Sequence, residues 1–209
     1  MFRAMLSSLY ETTKNHDIEV VAVIDNDVEA MKIANTFDVD ALSYSASRRG
    51  ALNAWNTGLF QCDGEILIPA GDDQLFHHGW LDFALESHEK KLNGYGVVGM
   101  NDLAYDGNAQ VATMFLFDRK YCQEAMGGVF APPVYKYYCV DSEWNEKAKL
   151  LGRFYWDERS KVEHLHSAHG KRPKDATDSY KEDAWMEVDN QTFQDRKSKG
   201  FPIEWEAMI

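Results

Sequence analysis

Apolar positions fall in two patterns along this chain. Residues 18–24, Ile18-Glu19-Val20-Val21-Ala22-Val23-Ile24, form an almost unbroken β-branched run. Such a run predicts a strand buried on both faces, as in a parallel sheet. A second apolar run, Ile66-Leu67-Ile68, leads into Pro69-Ala70-Gly71-Asp72-Asp73. Between and around these runs the period changes to that of helices, over 1–14, 28–37, 51–62 and 80–92. A short strand is expected at 41–45. The second half predicts strands at 95–100, 111–117, 154–156 and 162–166, and helices at 119–126 and 141–151. A final helix over 178–199 has Gly200 as its C-terminal stop and Pro202 just beyond. Strand–helix alternation with short connections predicts an α/β fold, a three-layer Rossmann-like domain with a mostly parallel central sheet. A single domain over 1–209 is expected, with its halves meeting near residues 92 and 93.

Bulk composition narrows the function classes. A formal net charge of -12 argues against stable nucleic-acid binding through a broad basic face. Three cysteines at wide spacing, with no paired motif, neither frame a disulfide scaffold nor a zinc knuckle, and point to a reducing compartment. With no apolar run long enough to span a bilayer and no signal-peptide pattern, a cytoplasmic protein is expected.

The candidate chemistry lies where the apolar runs stop. Asp72 and Asp73 would repel each other unless a cation or a hydrogen-bond donor compensates, and a divalent metal carrying a phosphorylated ligand is one such compensator. Gly-Asp-Asp is equally good turn chemistry. Asp25, at the end of the first run, is placed to accept hydrogen bonds from a base or ribose, or to cap the next helix. Arg48 and Arg49 precede a helix whose N-terminus favours anions, so they could meet a diphosphate. Asn53 and Asn56 share a helix face, where amides could tether the Asp-Asp turn. Asp141 and Glu143 open a helix and serve either as caps or as a general base. His164 and His166, two apart on an expected strand, share a face. One of them with Asp73 and phosphate oxygens would suit Mn²⁺ or Mg²⁺; a zinc site using His169 as well is the alternative.

Together, Asp25 at a strand end, Ala54-Trp55-Asn56-Thr57-Gly58 on a helix, and Gly64-Glu65-Ile66 before the Asp-Asp turn resemble a family-2 glycosyltransferase of the GT-A fold. The likeness runs over about residues 5–85. It implies a nucleoside-diphosphate sugar donor, most simply UDP-linked, transferred with inversion to a hydroxyl of a small molecule, a glycan or a modified nucleobase. By the same resemblance Asp73 binds the metal, His164 or His166 completes its site, and Asp72 contacts ribose or metal. Asp25 meets the uracil, Arg49 and Asn56 belong to the donor side, Lys171 and Arg172 close over the diphosphate, and Asp141 is the base. The segment Val162-Glu163-His164-Leu165-His166 and its tail also resembles glycosyltransferase-like proteins of bacteriophages. Compared with the family, the usual first strand is lacking. The rival readings are a catalytically inactive nucleotide-binding module of the same fold and a metal-dependent phosphohydrolase or nuclease.

Overall fold

Pleating divides the central strands between two apolar layers. In β5 (Val97–Asn101), Val97 joins one cluster while Val98 and Met100 join the other; in β6 (Met114–Asp118), Phe115 and Phe117 face the first and Met114 and Leu116 the second. Neither strand has a solvent face, which is why both read as continuous apolar runs. The structure is a computed structural model describing residues 1–104, 111–174 and 183–203.

The first layer holds α3 (Ala51–Gln61), α5 (Arg119–Met126), α6 (Val140–Leu150) and α7 (Asp183–Ser198). Rings of Phe115, Phe117, Phe130 and Trp144 pack there at centroid separations of 4.4 to 6.1 Å. The second layer holds α1 (Phe2–Thr12) and α4 (Trp80–Leu92), with Trp80 and Leu6 fully buried. Helix α2 (Val28–Ala34) follows β1 (Val21–Asp25), capped by the Asp27 carboxylate on the Ala30 N–H at 2.9 Å. The three-layer α/β architecture expected from the sequence is present.

The sheet differs from expectation in its directions. Parallel pairing occurs between β1 and β2 (Ala41–Ser45), which form a separate two-stranded sheet, and between β5 and β7 (Phe154–His164). The remaining pairs, β3 (Ile66–Leu67) with β6, β5 with β6, and β4 (Gln74–Phe76) with β7, are antiparallel, in the order β3-β6-β5-β7-β4. The mostly parallel sheet is therefore corrected to a mixed one. β7 is also one strand rather than two. It passes the polar stretch Asp157-Glu158-Arg159 through a register shift opposite Met100 and Asn101. Buried Asp157 is satisfied there by Ser87 Oγ at 2.7 Å and Arg159 at 2.7 Å. The strand ends at His164, so His166 lies beyond it. The expected start of the last helix, residues 178–182, lies outside the described residues.

Close packing fixes one glycine. A Cβ on Gly99 would sit 2.7 Å from that of Ala112 and 2.9 Å from the Trp156 ring, so β5 can lie between them only without a side chain.

Candidate functional site

Three segments that are remote in sequence converge because β4 pairs with the end of β7. Their register sets Gln74 opposite His164. Asp73, the residue before β4, then meets His164 through its side chain, Oδ2 to Nε2 at 3.3 Å, and Leu165 through its backbone, the Leu165 N–H donating at 2.8 Å. Arg172 Nη2 lies 4.0 Å from the same Oδ2, with its side chain largely enclosed. Burial alone would raise the Asp73 carboxyl; the His164 hydrogen bond and charge, with Arg172 behind them, outweigh it and hold the group below the usual carboxylate range.

Asp141 enters from the first turn of α6. Its carboxylate accepts from the Ser142 N–H at 2.7 Å and from Ser142 Oγ at 3.4 Å. Burial pushes this carboxyl up; the Ser142 hydrogen bonds and the nearby charge of His164 only partly offset it. Two carboxyls near one imidazole are thus driven in opposite directions, Asp73 towards the anion and Asp141 towards the acid. Such divergence is what separates a cation-holding group from a proton-accepting one.

The Asp-Asp turn is braced from below. Gln74 Oε1 accepts from the Gly71 N–H at 3.0 Å, and Trp55 Nε1 on α3 donates to the Ala70 carbonyl at 3.3 Å. With the turn held so, the two carboxylates diverge. Asp73 faces His164, whereas exposed Asp72 lines a cavity of about 730 Å³ together with Asp25 and Arg48. Both Asp25 oxygens accept backbone N–H bonds, from Arg49 at 2.8 Å and Gly50 at 2.7 Å. Asp25 therefore shapes the loop that starts α3. Arg49 offers that loop its backbone, and Arg48 is the arginine that lines the cavity.

Other expected site residues are engaged elsewhere. Asn56 does not tether the Asp-Asp turn: its Oδ1 accepts from Phe130 N–H at 3.0 Å and Ala131 N–H at 2.8 Å, and its Nδ2 donates to the Ala131 carbonyl at 2.8 Å. It anchors the loop before Pro132. Asn56→Ala leaves those backbone groups unpaired and is expected to cost about 2–3 kcal/mol in urea unfolding. Lys171 donates to the Leu103 carbonyl at 2.9 Å and to Glu163 at 3.0 Å, bracing the segment after β7. Glu143 is fully buried and ion-paired with Arg196, so it is removed from the candidate bases.

His164, His166 and His169 pack in succession, the first pair edge to face and the second tilted, with ring centroids 5.1 Å and 5.6 Å apart. Among the described residues, no three His, Cys, Asp or Glu side chains group as a ready metal cage. The donor set that does exist, one carboxylate and one imidazole, fits a hard divalent cation that takes its remaining ligands from phosphate and water. Sequence reasoning missed Asp102, which is buried at the same sheet end. Its carbonyl accepts the His164 N–H at 3.0 Å, and its carboxylate accepts Thr113 Oγ1 at 2.6 Å. Its only sequence signal was an acid at the end of a strand.

No family model and no curated protein matches the chain. Among solved structures, it is similar to the mannosyltransferase PcManGT from Pyrobaculum calidifontis, in complex with GDP-Man and Mn²⁺. That likeness has a TM-score of 0.60 and 22% identity over 78% of this chain and 52% of that one. It is also similar to residues 1–349 of TarS from S. aureus, with a TM-score of 0.57 and 15% identity, covering 77% of this chain and 55% of that one. TarS in complex with UDP gives a TM-score of 0.56. The chain thus spans about half the length of the structures it resembles. No helix among the described residues is long and apolar enough to cross a membrane. The fold is the GT-A-like α/β fold of these glycosyltransferases.

Proposed function

We propose that the chain is a glycosyltransferase that moves a sugar from a nucleoside-diphosphate sugar to a hydroxyl acceptor with inversion. The observation that supports this best is the contact of Asp73 with His164, with Arg172 4.0 Å away, where the start of β4 meets the end of β7. The neighbours' complexes with GDP-Man and Mn²⁺ and with UDP agree with such a donor.

In this reading the diphosphate lies by Asp73, His164 and Arg172, with Asp72, Asp25 and Arg48 towards the nucleoside. Asp73 and His164 would hold Mn²⁺ or Mg²⁺, with His166 packed against the His164 ring; the ion, when bound, supplies positive charge for the diphosphate leaving group. Arg172 adds fixed charge on the same side, and Lys171 sets the loop that carries it. Asp141 orients the acceptor hydroxyl and takes its proton as the oxygen bonds to the anomeric carbon. The anomeric C–O bond breaks with its electron pair on the diphosphate, on the opposite face. Fixing both partners in line supplies much of the acceleration.

Product analysis tests this directly. With GDP- and UDP-sugars, Mn²⁺ and a panel of hydroxyl acceptors, the expected products are the nucleoside diphosphate and a glycosylated acceptor. Nucleoside monophosphate with sugar phosphate would mean cleavage between the phosphorus atoms, the phosphohydrolase reading, and would overturn the proposal.

A further inference from the structure

Ala112 lies just outside the β5–β6 ladder, whose pairing at that end stops at Met100 with Met114. Its buried peptide groups therefore need partners from elsewhere. Both come from one side chain on α6. Asn145 Oδ1 accepts from the Ala112 N–H at 2.7 Å, and Asn145 Nδ2 donates to the Ala112 carbonyl at 2.9 Å. The same Nδ2 donates to the Asp141 carbonyl, one turn earlier in the helix, at 2.7 Å. The amide thus uses its oxygen once and both of its N–H donors. Asn145 is 0% exposed, so bulk water does not compete for these bonds. Asparagine is a weak helix former, and here three bonds offset that cost.

From Ala112 the hydrogen bonds continue to the other side of the site. Thr113 Oγ1 donates to Asp102 Oδ2 at 2.6 Å, and the Asp102 carbonyl accepts the His164 N–H at 3.0 Å. His164 Nε2 lies 3.3 Å from Asp73 Oδ2. Asp102 is itself buried, and its other oxygen takes the Ala104 N–H at 2.9 Å. The acid assigned to the acceptor hydroxyl and the pair assigned to the diphosphate are therefore joined by one hydrogen-bonded frame. They come from different elements, α6 for the first, β7 and the residue before β4 for the second. In-line displacement needs a fixed separation between the group that activates the nucleophile and the groups that receive the leaving group.

We propose that Asn145 is a positioning residue: by clamping the first turn of α6 to Ala112 it holds Asp141 at a set distance from Asp73 and His164. Thr113 and Asp102 carry the clamp on to His164. Asn145 touches neither donor nor acceptor and acts through Asp141, so its role rests on the transferase reading above.

A double-variant cycle tests it, with Asn145→Ala, Asp141→Asn and the two combined, GDP-mannose and UDP-glucose as donors, Mn²⁺ and the same panel of hydroxyl acceptors. Asn145→Ala should lower kcat for transfer by about 10–100-fold, with donor KM and the Kd of UDP or GDP each within about threefold of the wild type. In the Asp141→Asn background the same change should cost less than about threefold, because no base is left to position. Thr113→Val breaks the frame at a half-buried position with a side chain of the same shape. It should lower kcat by about tenfold, and Thr113→Ser, which keeps the hydroxyl, should stay within about threefold of the wild type. Equal losses from Asn145→Ala in both backgrounds, a loss carried by KM or nucleotide affinity, or full activity of both Asn145→Ala and Thr113→Val would overturn the role of Asn145 and leave the transferase reading standing. A wild type that transfers no sugar, or an Asp141→Asn variant that transfers at the full rate, would overturn that reading and the role of Asn145 together.

Discussion

Asp141→Asn is expected to lower the rate of sugar transfer by about 10²–10⁴-fold while leaving nucleotide affinity within about twofold of the wild type. The asparagine keeps the shape and the hydrogen bond from the Ser142 N–H but cannot take a proton. The wild-type pH–rate profile carries the sign of the environment. Burial raises the Asp141 carboxyl, so the base loses its proton only above the ordinary carboxylate range, and activity should climb with pH through that raised value. The Asn variant should lack this limb. Stability moves the other way. A carboxyl whose folded pKa lies above its unfolded one favours the fold below the unfolded value, and that contribution is lost as pH rises through the folded value. At neutral pH the Asn variant should therefore unfold at the same urea concentration as the wild type or a higher one. A lower midpoint would argue that Asp141 is a structural cap.

Glu143→Gln is expected to cost about 3–5 kcal/mol, the largest stability loss among the variants considered. Glu143 is 0% exposed and accepts from Arg196 Nε and Nη2, each at 2.8 Å, and from Tyr135 Oη at 2.6 Å. The pair locks α7 onto α6, and Arg196 and Lys147 also donate to the Pro202 and Phe201 carbonyls, at 2.9 Å and 2.7 Å. Neutralising Glu143 leaves a guanidinium buried without its counter-charge. In a chain of this size the melting temperature should fall by about 10 °C. Glu143→Met combined with Arg196→Met removes both charges and should recover most of the loss. Equal damage from the double variant would show that shape, rather than the pair, holds the helices together.

What could be read from the chain follows physical range. Strands β1 and β6 were legible because burial on both faces leaves an apolar run that needs no partner to be recognised. Asp25, Asp73 and Asp141 were legible as acids at strand ends or a helix start. Their environments were not. The Asp73–His164 contact depends on β4, only three residues long and opening on a buried glutamine, so no apolar pattern announces it. β7 was read as two strands because Asp157-Glu158-Arg159 looks like a turn. Its pairing survives through Ser87 on α4, some seventy positions away in the chain. Glu143 carries the same first-turn signal as Asp141. Only the position of Arg196, which local pattern does not encode, assigns one acid to the core and leaves the other beside His164.

Asp73 and His164 are proposed to make a cation-dependent diphosphate site. Calorimetric titration of UDP and of GDP, with and without Mn²⁺, into the wild type and Asp73→Asn tests it most directly. Binding of at least one nucleotide should require the metal and weaken by about 100-fold or more in the variant. Binding that is indifferent to Mn²⁺ and to the substitution, or absent for both nucleotides, would contradict it.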